Sequence, residues 1–451
     1  MKTGNGVIPA NDWDIMITGG TLLTMSETME TIENPIVGIK DGIIAAVLQK
    51  EKQSVSSYCA NETIDASGCI IMPGLVNTHT HLPMVCFRGM ADDLPLMEWL
   101  NCHIFPAEAR FVNEKMVFDG ALLAMAEMIL SGTTTFCDGY FFESKVGKAA
   151  LQSGMRAVIA QGFIDFPVPD NLDSSKKMAV ATRFLAKWKN VSPLVTPACF
   201  CHSPYTCSPE TLANIKDAAR KAGVPYLIHL LENKDEIATI LKRYGKKPVQ
   251  HLRDIGVLDE QTIAVHCNWA DAEDMAIFAD LGVKVSHNPE SSMKLAAGVA
   301  PIPEMLQMGI TVGLGTDGCA SNNDLDMFRE MDTAAKVHKV ITLNPTVMSA
   351  ETVSKMATRG GARALGLDQR IGSIESGKDA DIILLDMNKP HLTPLYNPYS
   401  QLVYAASGAD VITSIIGGRI VMKDRHLLTI NVDSAMENVR KIATNIRQKI
   451  A

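Results

Sequence analysis

Eight short apolar segments, alternating with longer amphipathic stretches, restrict what this chain can fold into more than any other feature. They fall at residues 70–79, 133–138, 156–162, 194–201, 225–230, 262–267, 283–287 and 311–316. They are rich in Val, Ile and Thr, and most are continuously apolar rather than alternating, the pattern of strands buried on both faces. Between them, residues 114–130, 177–188, 209–222 and 271–281 read as amphipathic helices long enough for right-handed crossovers. Closing eight parallel strands on themselves is the simplest way to bury them all, so the expectation is an α/β protein built on a (β/α)8 TIM-type barrel. A doubly wound open sheet is the alternative that the same alternation allows.

In a barrel, side chains at the carboxyl ends of the strands gather on one face. Five metal-type residues stand at such ends here: His79 with His81, then His229, His266 and Asp317. His79 and His81 are two residues apart, so on an extended strand both side chains point to one face and can share an ion. His229 ends the fifth apolar segment, and Glu232 follows three residues later, close enough to exchange a proton with bound water. An acidic residue also suits the first turn of the following helix. His266 closes the sixth segment. Asp317 closes the eighth within Gly313-Leu314-Gly315-Thr316-Asp317-Gly318, where a buried carboxylate is costly without a cation or a donor; a turn or helix cap is its structural alternative. One divalent cation held by imidazoles and a carboxylate turns water into a nucleophile near neutral pH, which proposes a hydrolase. The fourth segment ends in Phe200-Cys201-His202 with no lysine to bridge two metals, which favours a mononuclear centre. His287 reads as structural support rather than a fifth ligand.

At 451 residues the chain exceeds a barrel of about 250 to 300 residues, and the surplus lies at both ends. Residues 14–25, 35–48 and 62–65 read as short strands with turns at Gly19-Gly20 and Asp41-Gly42; residues 380–385 and 411–421 read alike around Gly417-Gly418. They predict a small β-sandwich assembled from both termini, residues 1–69 and 371–451, flanking a metal-dependent barrel at 70–370. A final helix at 434–450 repeats Val439, Ile442, Ala443 and Ile446 at helical spacing. None of the ten cysteines forms a CxxC pair and several lie in apolar runs, as expected of reduced thiols in the cytoplasm. No stretch approaches the roughly 20 apolar residues that span a bilayer. The polar opening, residues 1–11, lacks the apolar core of a signal peptide. A net charge of −8 with no basic block makes nucleic acid a poor partner. The expected partner is a small-molecule substrate, without nucleic acid or membrane, and a homo-oligomer is left open.

With these residues in place, the chain resembles the amidohydrolase superfamily, and within it the triazine hydrolase-like deaminases of adenosine derivatives that act on 5'-methylthioadenosine and S-adenosylhomocysteine. The matching passages are Pro73-Gly74-Leu75-Val76-Asn77-Thr78-His79-Thr80-His81, Glu98-Trp99-Leu100, His202-Ser203-Pro204-Tyr205, His229-Leu230-Leu231-Glu232, His287-Asn288-Pro289 and Gly315-Thr316-Asp317-Gly318. The resemblance implies that His79, His81, His229 and Asp317 bind one divalent metal ion, usually zinc, although iron, nickel and manganese suit the same donors. It implies Glu232 as proton shuttle and His266 as the residue that orients the nucleophile or polarises the reacting centre, Asp317 assisting. It places Trp99, Glu108 and His202 against a nucleoside substrate, Glu108 at the ribose hydroxyls and His202 near the purine. The product is then an inosine analogue plus ammonia. Guanine, a pterin or an s-triazine are the alternative substrates, and a non-catalytic scaffold is a further alternative.

The chain departs from the pattern in two respects, at the two arginine places and at Ser292. The similar enzymes carry an arginine near the end of strand three and another in the loop after it, used for the homocysteine carboxylate. Gln161 stands at the first place and Lys176 or Lys177 near the second. A lysine binds a carboxylate only as a point charge, so the expectation leans to methylthioadenosine. Ser292 stands where asparagine is common.

Overall fold

The computed structural model describes residues 13–49 and 58–450; the expectation for residues 1–11 lies outside them. Eight parallel strands form one sheet in chain order, Leu75–Thr80, Thr133–Tyr140, Arg156–Phe163, Val195–Cys201, Tyr226–Leu230, Thr262–His266, Lys284–His287 and Val312–Leu314. The last returns to the first: Thr78 Oγ1 donates to the Leu314 carbonyl at 2.9 Å and the Asp317 amide to the His79 carbonyl at 3.0 Å, closing a barrel. Every residue of the first three strands is buried, polar ones such as Asn77, Thr78 and Asp138 included.

The helices between strands follow local signals. In Pro209–Ala222, the Ser208 hydroxyl accepts the Thr211 amide at 3.2 Å, and Gly223 ends the helix at φ +69°. Leu212, Ile215 and Ala219 form its buried stripe.

One expected strand is two. The segment 70–79 breaks at Gly74: Cys69–Pro73 joins a sheet outside the barrel, and only Leu75–Thr80 enters it. At Gly74 a Cβ would lie 2.1 Å from the Thr134 side chain, so the chain turns between layers where only glycine fits.

Strands from both ends of the chain build two further sheets. A four-stranded sheet runs Ile43–Gln49, Pro35–Lys40, Trp13–Thr18, Ala60–Asp65. A seven-stranded one runs His426–Leu427, Arg419–Lys423, Val411–Ile416, Ile382–Asp386, Cys69–Pro73, Thr21–Leu23, Thr31–Glu33. Ile15, Ile17, Val37 and Ile39 of one pack on Leu22, Ile71, Ile382 and Ile415 of the other, a sandwich core separate from that of the barrel. Arg156 ties barrel to sandwich: its buried guanidinium donates to both oxygens of Asp381, at 2.7 and 3.0 Å. The last helix, Val432–Ile450, packs on Glu114–Leu130 through a stripe that includes Val439 and Ile446. No helix among the described residues is long and apolar enough to cross a membrane.

Candidate metal centre and active-site cleft

Strand ends supply the ligating atoms. The ligand atoms of His79, His81, His229 and Asp317 all lie within 4.8 Å of one another, and all four residues are buried. His79 Nε2 is 3.2 Å from His229 Nε2, and Asp317 Oδ1 is 3.4 Å from His79 Nε2 and 3.3 Å from His81 Nε2. Lone pairs of three imidazoles and a carboxylate converging in a buried space need a shared positive charge, and a divalent cation fits that donor set. The four residues are a metal site, and zinc suits them.

Neighbouring groups aim these ligands. His81 Nδ1 donates to the Gly139 carbonyl at 2.6 Å, which leaves the Nε2 lone pair facing the centre. The hydroxyls of Ser291 and Ser321 donate to Asp317 Oδ2 at 2.7 and 2.8 Å, so Oδ1 is the oxygen turned inward. Burial works against charge on both His81 and Asp317. Their mutual attraction wins, raising His81 to about 9 and holding the Asp317 carboxyl well below the usual carboxylate range, and a dication at the four ligands takes the place of the His81 proton. Asp317 has φ +62° and His266 φ +75°, left-handed backbone that is strained for both residues and concentrates where these strand ends turn their side chains inward.

Glu232 and His266 stand beside this cluster, with His266 Nε2 3.8 Å from Glu232 Oε1. Burial, then the charges of Asp317 and Glu236, push the Glu232 carboxyl up to about 8; a dication at the four ligands acts in the opposite direction. The Glu232 carbonyl accepts from Asn268 Nδ2 at 3.0 Å, and Ser292 donates to Asn268 Oδ1 at 3.1 Å. Ser292 therefore steadies the turn that carries Glu232, a role invisible from its position alone.

Above the cluster opens a cleft, partly open to solvent. His81, His229, Glu232, His266 and Asp317 form its polar floor. Trp99, Glu108 and His202 also line it. Trp99 and Glu108 come from a segment with no helix expectation: Leu96–Glu98, a π-turn Trp99–Ile104 and Phe105–Phe111 follow one another after the first barrel strand. Glu108 is buried and accepts a hydrogen bond from the Tyr140 hydroxyl at 2.7 Å. Burial raises its carboxyl to about 7, against the pull of that hydroxyl and of His81. Tyr140 was missed in the sequence, although it ends the second barrel strand, a position where functional side chains are to be sought. His202 Nδ1 lies 3.0 Å from the Thr206 hydroxyl.

Four residues fall elsewhere. His287 is buried with Nε2 3.1 Å from His338 Nε2 and does not line the cleft. Gln161 donates to Asp170 at 2.8 Å. Lys177 pairs with Asp165 at 2.8 Å, and Lys176 meets Asp173 at 3.1 Å on the surface; neither lines the cleft.

Comparison with known proteins agrees with this geometry. A family model described as "Amidohydrolase family" matches residues 70–421. The chain is 51% identical over 434 residues to a 5-methylthioadenosine/S-adenosylhomocysteine deaminase of Syntrophobacter fumaroxidans, covering 96% of this chain and 98% of the relative. It is 44% identical over 442 residues to a 5'-deoxyadenosine deaminase of Methanosarcina mazei, covering 97% and 99%. Among solved structures, a zinc-bound adenosine deaminase from Xanthomonas campestris superposes with a TM-score of 0.95 at 36% identity, covering 98% of this chain and all of that one. An Arthrobacter aurescens atrazine chlorohydrolase, at TM-score 0.88 and 23% identity over 95% and 100% of the two chains, shares the fold. A match over most of the length, on a barrel whose strand ends assemble a metal site, makes this chain a member of the amidohydrolase family.

Proposed function

We propose that the chain is a metal-dependent aminohydrolase of adenosine-type nucleosides, releasing ammonia and the inosine analogue. The observation that carries this reading is the placement of Glu232 and His266 beside a four-donor metal cluster, at the floor of a cleft that also presents Trp99 and Glu108. The named deaminase relatives support it.

A bound divalent ion supplies Lewis acidity that makes water nucleophilic near neutral pH. The protein's own groups do the rest. Glu232 accepts a proton from the attacking water and delivers it to a ring nitrogen of the purine, then assists the departure of ammonia from the carbon that bore the amino group. His266 and Asp317 orient the water and stabilise the tetrahedral centre. Trp99 and His202 flank the base, and Glu108 accepts from the ribose hydroxyls. Oxygen from water replaces nitrogen on the ring, and the amine leaves as ammonia. We place the enzyme in the cytoplasm, acting on small molecules without nucleic acid or membrane; its acidic net charge and ten free cysteines support that setting.

The test is ammonia release by metal-replete protein from adenosine, 5'-methylthioadenosine, S-adenosylhomocysteine, guanine and a triazine, for wild type and Glu232→Gln. The variant keeps its metal by elemental analysis and loses about 10² to 10⁴ in kcat. Wild-type turnover in a metallated variant, or no ammonia from any nucleoside, refutes the assignment.

A further inference from the structure

The cleft has a polar floor and an outer wall of different character. Among the described residues no lysine or arginine lines it. The cations that follow the third barrel strand are already engaged, Lys177 by Asp165 and Lys176 by Asp173, and the Gln161 amide is turned to Asp170. Three carboxylates therefore flank this stretch, two of them neutralised locally. The lining includes the rings of Phe105, Phe141 and Phe163, and Phe166 lies just outside it against Phe105. The Phe105 ring lies 5.8 Å from His202 and 5.6 Å edge-to-face from Phe166, which is 39% exposed. Phe163 and Ile164 continue the apolar wall. Phe105 precedes Glu108 by three residues on the helix Phe105–Phe111, so the two share a face. Phe105 and Glu108 both line the cleft, so a ribose bound through its hydroxyls at Glu108 would have Phe105 as a neighbour.

Resting on the deaminase reading above, we infer that Phe105, Phe166, Phe163 and Ile164 form an uncharged aromatic 5' subsite that selects adenosine derivatives with a short apolar 5' group over S-adenosylhomocysteine. A methyl or methylthio group gains apolar burial there, and a thioether sulfur gains favourable contact with ring edges. The homocysteine end brings a carboxylate and an ammonium that must shed water without an opposite charge to meet the carboxylate.

Steady-state ammonia release tests this on metal-replete wild type with 5'-deoxyadenosine, 5'-methylthioadenosine and S-adenosylhomocysteine, and again on Phe166→Arg. In wild type the first two substrates have kcat/KM values within roughly tenfold of each other, and S-adenosylhomocysteine falls about 100-fold below, mainly through KM. Phe166→Arg places a guanidinium at the rim and raises the S-adenosylhomocysteine to methylthioadenosine ratio about tenfold or more. Efficiency for S-adenosylhomocysteine within tenfold of methylthioadenosine in wild type, or a ratio unmoved by the arginine, overturns the subsite while leaving the deaminase reading intact. Ammonia from none of the three overturns both.

Discussion

Replacing Tyr140 by Phe removes one oxygen and asks whether Glu108 works as a charged ribose acceptor. The Tyr140 hydroxyl donates to Glu108 Oε1 at 2.7 Å, and both residues are buried. Burial has already raised the Glu108 carboxyl to about 7, with the hydroxyl and His81 resisting. A hydrogen bond to a buried charge is worth about 1.5–3 kcal/mol. At about 1.4 kcal/mol per pKa unit, its loss raises the Glu108 pKa by roughly one to two units. The carboxylate, the stronger acceptor, is populated above the folded-state pKa and lost as pH falls through it. Wild-type kcat/KM for a nucleoside therefore declines below a pH of about 7. In the variant the decline begins one to two units higher, and at pH 7 kcat/KM drops roughly 5- to 50-fold.

The measurement is kcat/KM against pH for 5'-methylthioadenosine, with free adenine as control. kcat/KM reports the ionisation of the free enzyme. Glu232 is also shifted, upward by burial and by the Asp317 and Glu236 charges and downward by a dication at the four ligands. A limb due to Glu232 belongs to every substrate, whereas one due to Glu108 belongs to substrates with a ribose. An acid limb that stays in place in Tyr140→Phe, or a loss equally large for adenine, refutes the reasoning.

Two further perturbations act on the supports of the site. Ser291→Ala removes one of the two hydroxyls that donate to Asp317 Oδ2, and weakens metal affinity about 10- to 100-fold in chelator competition; an unchanged affinity means that Ser321 alone orients the carboxylate. Arg156→Met leaves Asp381 and Asp379 without the guanidinium that each meets at 2.7–2.8 Å, and lowers unfolding free energy by about 3–5 kcal/mol in urea titration; a loss below about 1 kcal/mol shows that water or local rearrangement replaces the contact.

The ligands were legible because their placement depends on little beyond their own strands. An imidazole or carboxylate that closes an apolar run lies on the reactive face wherever the barrel forms, so His79, His81, His229 and Asp317 could be named before any contact was known. The partners of these residues depend on the path of several loops at once. Ser291 comes from the short helix Pro289–Lys294 and Ser321 from a turn, 26 and four residues from Asp317 along the chain, and nothing in either local sequence marks a donor to Asp317. The Tyr140–Glu108 pair spans 32 residues and requires the helix at 105–111 to fold back over the second strand end. Gln161, Lys176 and Lys177 show the same limit from the other side: residue type marked a departure from the family's arginines, and their partners Asp170, Asp173 and Asp165 could not be read from it. The segment 70–79 failed for a more local reason. A continuous apolar run does not say which sheet buries it, and the signal for a change of sheet was Pro73-Gly74 inside the run.

Chemistry and selection are carried by different parts of the chain. The metal ligands, Glu232 and His266 lie at or just beyond ends of the first, fifth, sixth and eighth barrel strands, where hydrogen-bonded neighbours on both sides hold even the strained backbone of His266 and Asp317. Trp99, Phe105 and Glu108 all come from the single excursion between the first strand and the helix Glu114–Leu130. That excursion includes a π-turn, which shifts the helical register by one residue and so resets which side chains face the cleft. Substitutions there change the shape and charge of the substrate wall without moving a ligand, whereas substitutions at the strand ends alter the metal or the proton path first. Changes in KM and in the ranking of 5' substituents are therefore expected from residues 96–111, and losses of kcat or metal from the strand ends.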